Sequence, residues 1–259
     1  MKLPHNDIFF QFPRHTVPTS QGDVTMPILY YDASQWLFIF KTDKARVQQL
    51  LPDGLKAVSV GGKGLAGVAF YEYRDTSIGV YNEAGIALGC LPNSMPTPAT
   101  TLPHLMKRAE NNTIGFHVID LPVTTQAACS AGRDIWSFPK IVTDIGYQEN
   151  GSRFNGHVAL PDNSGNILSI SGSSGPGFPW PVIDLVLYSR HQKNWLRTLV
   201  NTHGTGRICT GGSLRLQVEN TDHPMGKHLD LLDLNQKKPF MVIRSTELQL
   251  RLNSGAVMP

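Results

Sequence analysis

Lys140 is the residue whose setting invites chemistry. It follows Ile135, Trp136, Phe138 and Pro139 and precedes Ile141 and Val142, in a chain where charged residues make up only 17%. A lysine there has two options. It can bury its stem and keep its amine in water, as most lysines beside apolar runs do, or it can be held dry. A dry ammonium is costly, and losing its proton relieves the cost. A neutral lysine amine attacks ketones and forms Schiff bases. Spacing alone leaves both options open. Trp136, four residues earlier, is open in the same way: it either packs in the core or touches whatever the lysine binds.

Other nucleophile and metal settings are weak. Ser173-Ser174-Gly175 lacks the frame of a nucleophile elbow. Nine histidines are scattered without an HExxH motif, and each reads as a surface or core residue rather than a metal ligand. Gly61-Gly62-Lys63-Gly64 is followed by no Ser/Thr-bearing helix and reads as a turn, as does Gly204–Arg207. No metal or cofactor is expected.

The elements that must hold Lys140 are mostly strands. Trp36–Lys41, Lys56–Val60, Leu65–Arg74, Gly85–Cys90 and Thr113–Leu121 read as strands from their β-branched and aromatic runs. Arg153–Leu160 and Asn166–Gly172 flank Pro161-Asp162-Asn163-Ser164-Gly165, a hairpin turn. Ser213–Val218, Phe240–Ile243 and Thr246–Leu252 close the list. In the last, Leu248, Leu250 and Leu252 alternate with polar residues, predicting one buried face. Val182–Tyr188 is apolar and fits either strand or helix. Short helices are expected over Lys44–Leu51, Leu105–Asn111, Thr124–Arg133 and His228–Leu234. The third is rich in small residues (Ala127, Ala128, Cys129, Ser130, Ala131) and must pack closely on something. Arg133 reads as a helix-terminal residue. Residues 91–104, Ser171–Pro181 and Gly204–Gly212 read as loops and turns. Residues 1–27, with four prolines, read as an irregular arm that wraps the surface or a neighbouring subunit. Many short strands, few helices and no βαβ rhythm predict an α+β chain, mainly antiparallel, built on a closed or nearly closed β-barrel. With 259 residues and no clear linker, one domain over 1–259 is expected.

Composition excludes several classes. A net charge of +3 without an extended basic cluster does not fit a nucleic-acid partner. No apolar run reaches a membrane span. The first seven residues lack an apolar signal core. Cys90, Cys129 and Cys209 are odd in number with no CxxC, which predicts free thiols in a reducing compartment, the cytoplasm.

Two stretches taken together say more. They are Tyr81-Asn82-Glu83-Ala84-Gly85 and Gly132-Arg133 followed, five residues on, by Pro139-Lys140. The chain resembles the acetoacetate decarboxylase family in these and, in order, in Phe40-Lys41-Thr42-Asp43, Pro52 with Leu55, Asp75-Thr76-Ser77, Gly212 with Leu214 and Leu216, His223-Pro224 and Leu231-Leu232-Asp233-Leu234. The resemblance implies that Lys140 is a Schiff-base lysine and Glu83 its active-site glutamate, which orients substrate or moves protons. Tyr81 lies two residues before Glu83 and shares its side if the segment is extended. It also implies a small keto acid as substrate, no cofactor and a homo-oligomer. Three positions depart from the family pattern. Ile141 stands where the decarboxylase has a second lysine, a cationic neighbour that helps activate the first. Asp32-Ala33-Ser34-Gln35 offers no arginine before the apolar strand. A second glutamate falls near Ala69, with Glu72 on the opposite face. Three readings follow: decarboxylation of a short β-keto acid such as acetoacetate, aldol-type condensation and dehydration of pyruvate-like acids, or a ligand-binding barrel without catalysis.

Overall fold

A computed structural model describes residues 2–258. Its long strands close into a barrel: β1 (Ile28–Thr42), β2 (Lys63–Thr76), β3 (Tyr81–Pro92), β4 (Gly115–Val123), β5 (Leu185–His191), β6 (Asn194–His203) and β7 (Met241–Leu252). Each pairs with the next in chain order, and β7 pairs with both β6 and β1. Seven strands cannot alternate direction all the way round, so one junction must be parallel. It falls between β4 and β5, which meet through a single bridge, Phe116–Leu187. A parallel return needs a long connection, and residues 124–184 supply it. That excursion builds much of what surrounds the site. The α+β class and the mainly antiparallel barrel are as the sequence predicts.

The helices α1 (Lys44–Leu50), α2 (Thr101–Leu105), α3 (Gln126–Trp136) and α4 (Pro224–Leu231) lie around the barrel. Asp43 caps α1 by accepting from the Ala45 N–H, and Thr125 caps α3 through Ala128. An outer sheet of Ile145–Asn150, Arg153–Ala159, Asn166–Ser173 and Arg215–Val218 packs on one wall. There Phe154 lies 5.0 Å from the Trp36 ring and 5.3 Å from Phe38. β1 is apolar on both faces for this reason. Trp36, Phe38 and Phe40 pack outward against the sheet, and Gln35, Leu37 and Ile39 point into the barrel. Cys90, Cys129 and Cys209 are free and buried, and among the described residues no helix is long and apolar enough to cross a membrane.

Several expectations are corrected. The arm over residues 1–27 is not irregular throughout: His15–Thr19 and Gly22–Met26 form a hairpin that turns at Gly22, φ 106°. Its residues fold back on their own barrel, where the Leu3 N–H donates to Gln249 Oε1 at 2.7 Å and Arg251 donates to the Phe9 carbonyl at 2.9 Å. The helix expected over Leu105–Asn111 is instead α2 plus a 3-10 turn at Ala109–Asn111. The helix expected at His228 starts earlier, at Pro224, a favoured first position because its missing N–H would be unpaired there anyway. Gly177–Pro181 and Thr205–Cys209, read as loops, pair as strands. The former is an edge strand, where Pro179 withholds no needed donor.

Candidate active site

The end of α3 sets the direction of Lys140. Ser137 adopts the left-handed conformation, φ 55°, and the N–H groups of Ser137 and Phe138 bond back to the carbonyls of Arg133 and Gly132. The chain turns sharply, and Pro139 prevents the helix from resuming. Lys140–Val142 then lies parallel to β4, with Lys140 beside Leu121. It occupies the length of β4's edge that β5 leaves uncovered. Strand alternation sends Lys140 into the barrel. Ile141, next in the strand, points away and does not line the cavity.

Gly132 makes room for the lysine stem. A Cβ there would stand 2.4 Å from both Cδ and Cε of Lys140, far inside van der Waals contact. The small residues of α3 are explained together: Ala128, Ala131 and Gly132 line the cavity, and the helix packs closely on the lysine itself.

At its tip Lys140 Nζ lies 2.6 Å from Glu83 Oε2, with the two side chains 7% and 11% exposed. Glu83 stands on β3 beside Tyr81, on the same face, because that segment is extended. The other carboxylate oxygen accepts from the Tyr73 hydroxyl at 3.3 Å. The Tyr30 and Tyr81 hydroxyls are 2.8 Å apart, and Tyr71 stacks on Tyr73 with centroids 5.4 Å apart. Burial holds all four phenols well above the usual tyrosine value, and the nearby Glu83 charge pushes the same way. They are neutral donors at any ordinary pH.

The cavity around this cluster measures about 110 Å³. Among the described residues that line it, Lys140 is the one cation and Glu83 the one anion. Ala69 occupies the wall where a second glutamate is expected, and Gln35 lines the stretch that offers no arginine. Glu72 is on the outer face, as expected, 2.7 Å from Arg74. Among the described residues no group of three or more His, Cys, Asp or Glu side chains gathers as metal ligands.

A family model described as acetoacetate decarboxylase (ADC) matches residues 11–226. The chain belongs to the acetoacetate decarboxylase family. No curated protein matches it. Among solved structures, it is similar to an acetoacetate decarboxylase from Legionella pneumophila at 15% identity and a TM-score of 0.65, covering 98% of this chain and 94% of that one. It is also similar to an acetoacetate decarboxylase-like enzyme from Sphingomonas wittichii at 13% identity and TM-score 0.62, covering 91% and 94% of the two chains. A third is the enduracididine biosynthesis enzyme MppR complexed with pyruvate, at 14% identity and TM-score 0.60, covering 89% and 90%.

Within this family fold, the sequence-predicted residues meet. Lys140, Glu83, Tyr81 and Trp136 all line one cavity. Trp136 is nevertheless held as a wall: it is fully buried, stacks on Phe138 at 5.7 Å and donates Nε1–H to the Asn253 carbonyl at 3.3 Å. Arg133 is exposed and stays out of the cavity. Tyr30, Tyr71 and Tyr73 were not foreseen. The signal for two of them is Tyr71-Glu72-Tyr73, where the outer Glu72 pairs with Arg74 and so puts both tyrosines inside.

Proposed function

We propose that Lys140 forms a Schiff base with a β-keto acid and that the protein releases carbon dioxide from it. The observation that carries this reading is the 2.6 Å contact of Lys140 with Glu83, both buried, inside a mostly apolar, phenol-lined cavity. The pair has no net charge whether the proton sits on nitrogen or oxygen. Passing it to Glu83 yields the neutral amine that attack requires, with no change of total charge in the cavity. The amine adds to the ketone carbon, the carbonyl oxygen takes protons and leaves as water, and a protonated imine remains beside the Glu83 carboxylate. Cleavage of the bond to the substrate carboxylate sends its electron pair into that imine. Carbon dioxide leaves, and an enamine forms. Protonation of the enamine carbon and hydrolysis then release a ketone and restore Lys140. Glu83 is the group placed to carry these protons, with the Tyr73 hydroxyl steadying its second oxygen.

The missing arginine is a departure from the decarboxylase pattern. It favours the alternatives, aldol-type condensation and dehydration of pyruvate-like acids or ligand binding without catalysis. Against them, a carboxylate with no cation besides Lys140 along the described wall is poorly solvated, and its loss as neutral carbon dioxide removes that cost.

Borohydride trapping tests the reading. Reduction in the presence of acetoacetate is expected to leave a covalent adduct on the Lys140 peptide, with carbon dioxide release before reduction and neither signal in Lys140→Met. Stronger trapping of pyruvate without carbon dioxide release assigns condensation chemistry instead. No adduct with either acid, in protein folded by circular dichroism, returns the barrel to ligand binding without catalysis.

A further inference from the structure

The barrel contains more room than the reactive pair needs. A second cavity, of about 500 Å³, occupies the other end of the lumen, and every residue that lines it is apolar. Leu37 and Phe116 line both cavities. From the β2 and β3 side the wall at that level is built from Gly67, Ala69, Gly85 and Ala87, so nothing larger than a methyl group reaches in from there. Ala69, Ala87, Leu185 and Leu187 are only half-buried, although they stand in mid-barrel positions where close packing would normally cover them. Leu37 and Phe116 thus stand between the two cavities, with only small residues facing them from β2 and β3.

We infer that this apolar compartment takes the alkyl tail of the ketone held at Lys140, so that the substrate class is straight-chain β-keto acids extending well beyond four carbons. The inference rests on the Schiff-base reading for the identity of the head group, but the compartment itself does not. Register gives the depth. Gln35 of β1 lines the cavity of the reactive pair, and its ladder partner Tyr71 pairs with Glu83. Ile39, in the far compartment, is four residues further along the same face. That is about 13 Å of strand, or about 10 Å along the axis at the usual tilt of barrel strands. An alkyl chain of about eight carbons covers it, at roughly 1.3 Å of rise per carbon–carbon bond. The chemistry is sorted in the same direction. Charged and hydroxyl groups gather at the level of Gln35 and above, while Leu37, Ile39, Met241 and Ile243 form the floor. A carboxylate has no partner there and an alkyl chain needs none. The far end opens beside Phe178 and Trp180, which are 53% and 40% exposed, so a longer chain can run outward instead of being refused.

The test is a chain-length series read by binding and by reaction. The methyl ketones from 2-butanone to 2-undecanone are trapped with borohydride on the wild-type protein. The matching 2-alkanols, which cannot form a Schiff base, are titrated calorimetrically against the wild type and Lys140→Met. Affinity for the alkanols is expected to rise about two- to fourfold per added methylene up to about eight carbons of tail, as burial of apolar surface requires, in both proteins. Filling the far compartment with Ile208→Trp is expected to flatten the series, bringing the ratio of 2-undecanol to 2-butanol affinity down at least tenfold. Met241→Trp repeats the test should the first variant not fold. A flat series in the wild type overturns the inference. So does a second copy or other protein side chain already filling the far end, seen as a flat series that becomes steep in Phe178→Ser/Trp180→Ser. A steep alkanol series without any ketone adduct keeps the tail compartment and removes the Schiff-base reading.

Discussion

β1 presents nearly the same residue types to two regions and the results differ. Outward, Trp36, Phe38 and Phe40 are between 0% and 1% exposed, locked against Phe154 and the outer sheet. Inward, Gln35, Leu37 and Ile39 keep 5–7% of their surface, because they border open volume. One face is a core packed to solid density, and the other is a lumen kept from collapsing by the first. The difference teaches that apolar character alone does not mark a core. What marks it is whether a second layer closes on the face.

The sharpest way to break that comparison uses one residue type on both sides. Phe38→Ala is expected to cost about 4 kcal/mol of stability by opening a cavity in the packed face. Phe116→Ala, between the two cavities of the lumen, is expected to cost about half as much, since its ring already borders a cavity. Equal costs in urea denaturation would erase the distinction. Gly132→Ala comes next. Its new Cβ must displace the Lys140 stem, and a shift of that size is expected to lower turnover about a hundredfold with the fold retained, measured as carbon dioxide release beside a circular dichroism spectrum. Tyr73→Phe removes the hydroxyl on Glu83 and is expected to lower kcat about tenfold or less.

The smallest effect belongs to a polar pair outside the lumen. His228 Nδ1 is 2.8 Å from Asp120 Oδ2. The hydrogen bond to Asp120 raises the imidazole above its usual value, and burial raises Asp120 above the usual carboxylate value. For the histidine, the stabilisation is complete below about pH 6.5 and is lost as pH climbs through the raised value. For the aspartate, the folded state holds its proton more tightly, so stability also declines as pH rises through its titration. Tm is therefore expected to fall slightly from about pH 6 to about pH 8, and less so in His228→Gln. Turnover of the lumen at fixed pH is expected to be nearly unmoved by that substitution.

The candidate site is legible in the sequence where residue type and local geometry coincide. Lys140 stands out because a charge interrupts an apolar run, and Tyr81 follows Glu83 inward by strand alternation. The rest of the cluster depends on sideways neighbours. Tyr30 reaches Tyr81 across 51 residues of sequence, and only the register of the barrel brings them together. Gly132 read as part of a helix end, since nothing in the sequence says that a lysine stem eight residues on will lie over it. Proline misled at Pro18 and Pro179, both in strands that pair on few sides. The ring itself follows from many strands, but its closure by a parallel junction does not, because the excursion that spans that junction is, apart from α3, mostly strands and looks like more of the same.

That junction has a mechanical meaning. Around most of the circumference, opening the wall means breaking a long antiparallel ladder, such as the one that joins β1 to β2 from Thr42 back to Tyr30. Between β4 and β5 the ladder is one bridge, at Phe116 and Leu187, and Phe116 also lines both cavities. A barrel under thermal stress yields where the fewest bonds resist. Amides at this seam are therefore expected to be the first in the wall to exchange with solvent, which hydrogen exchange would read residue by residue.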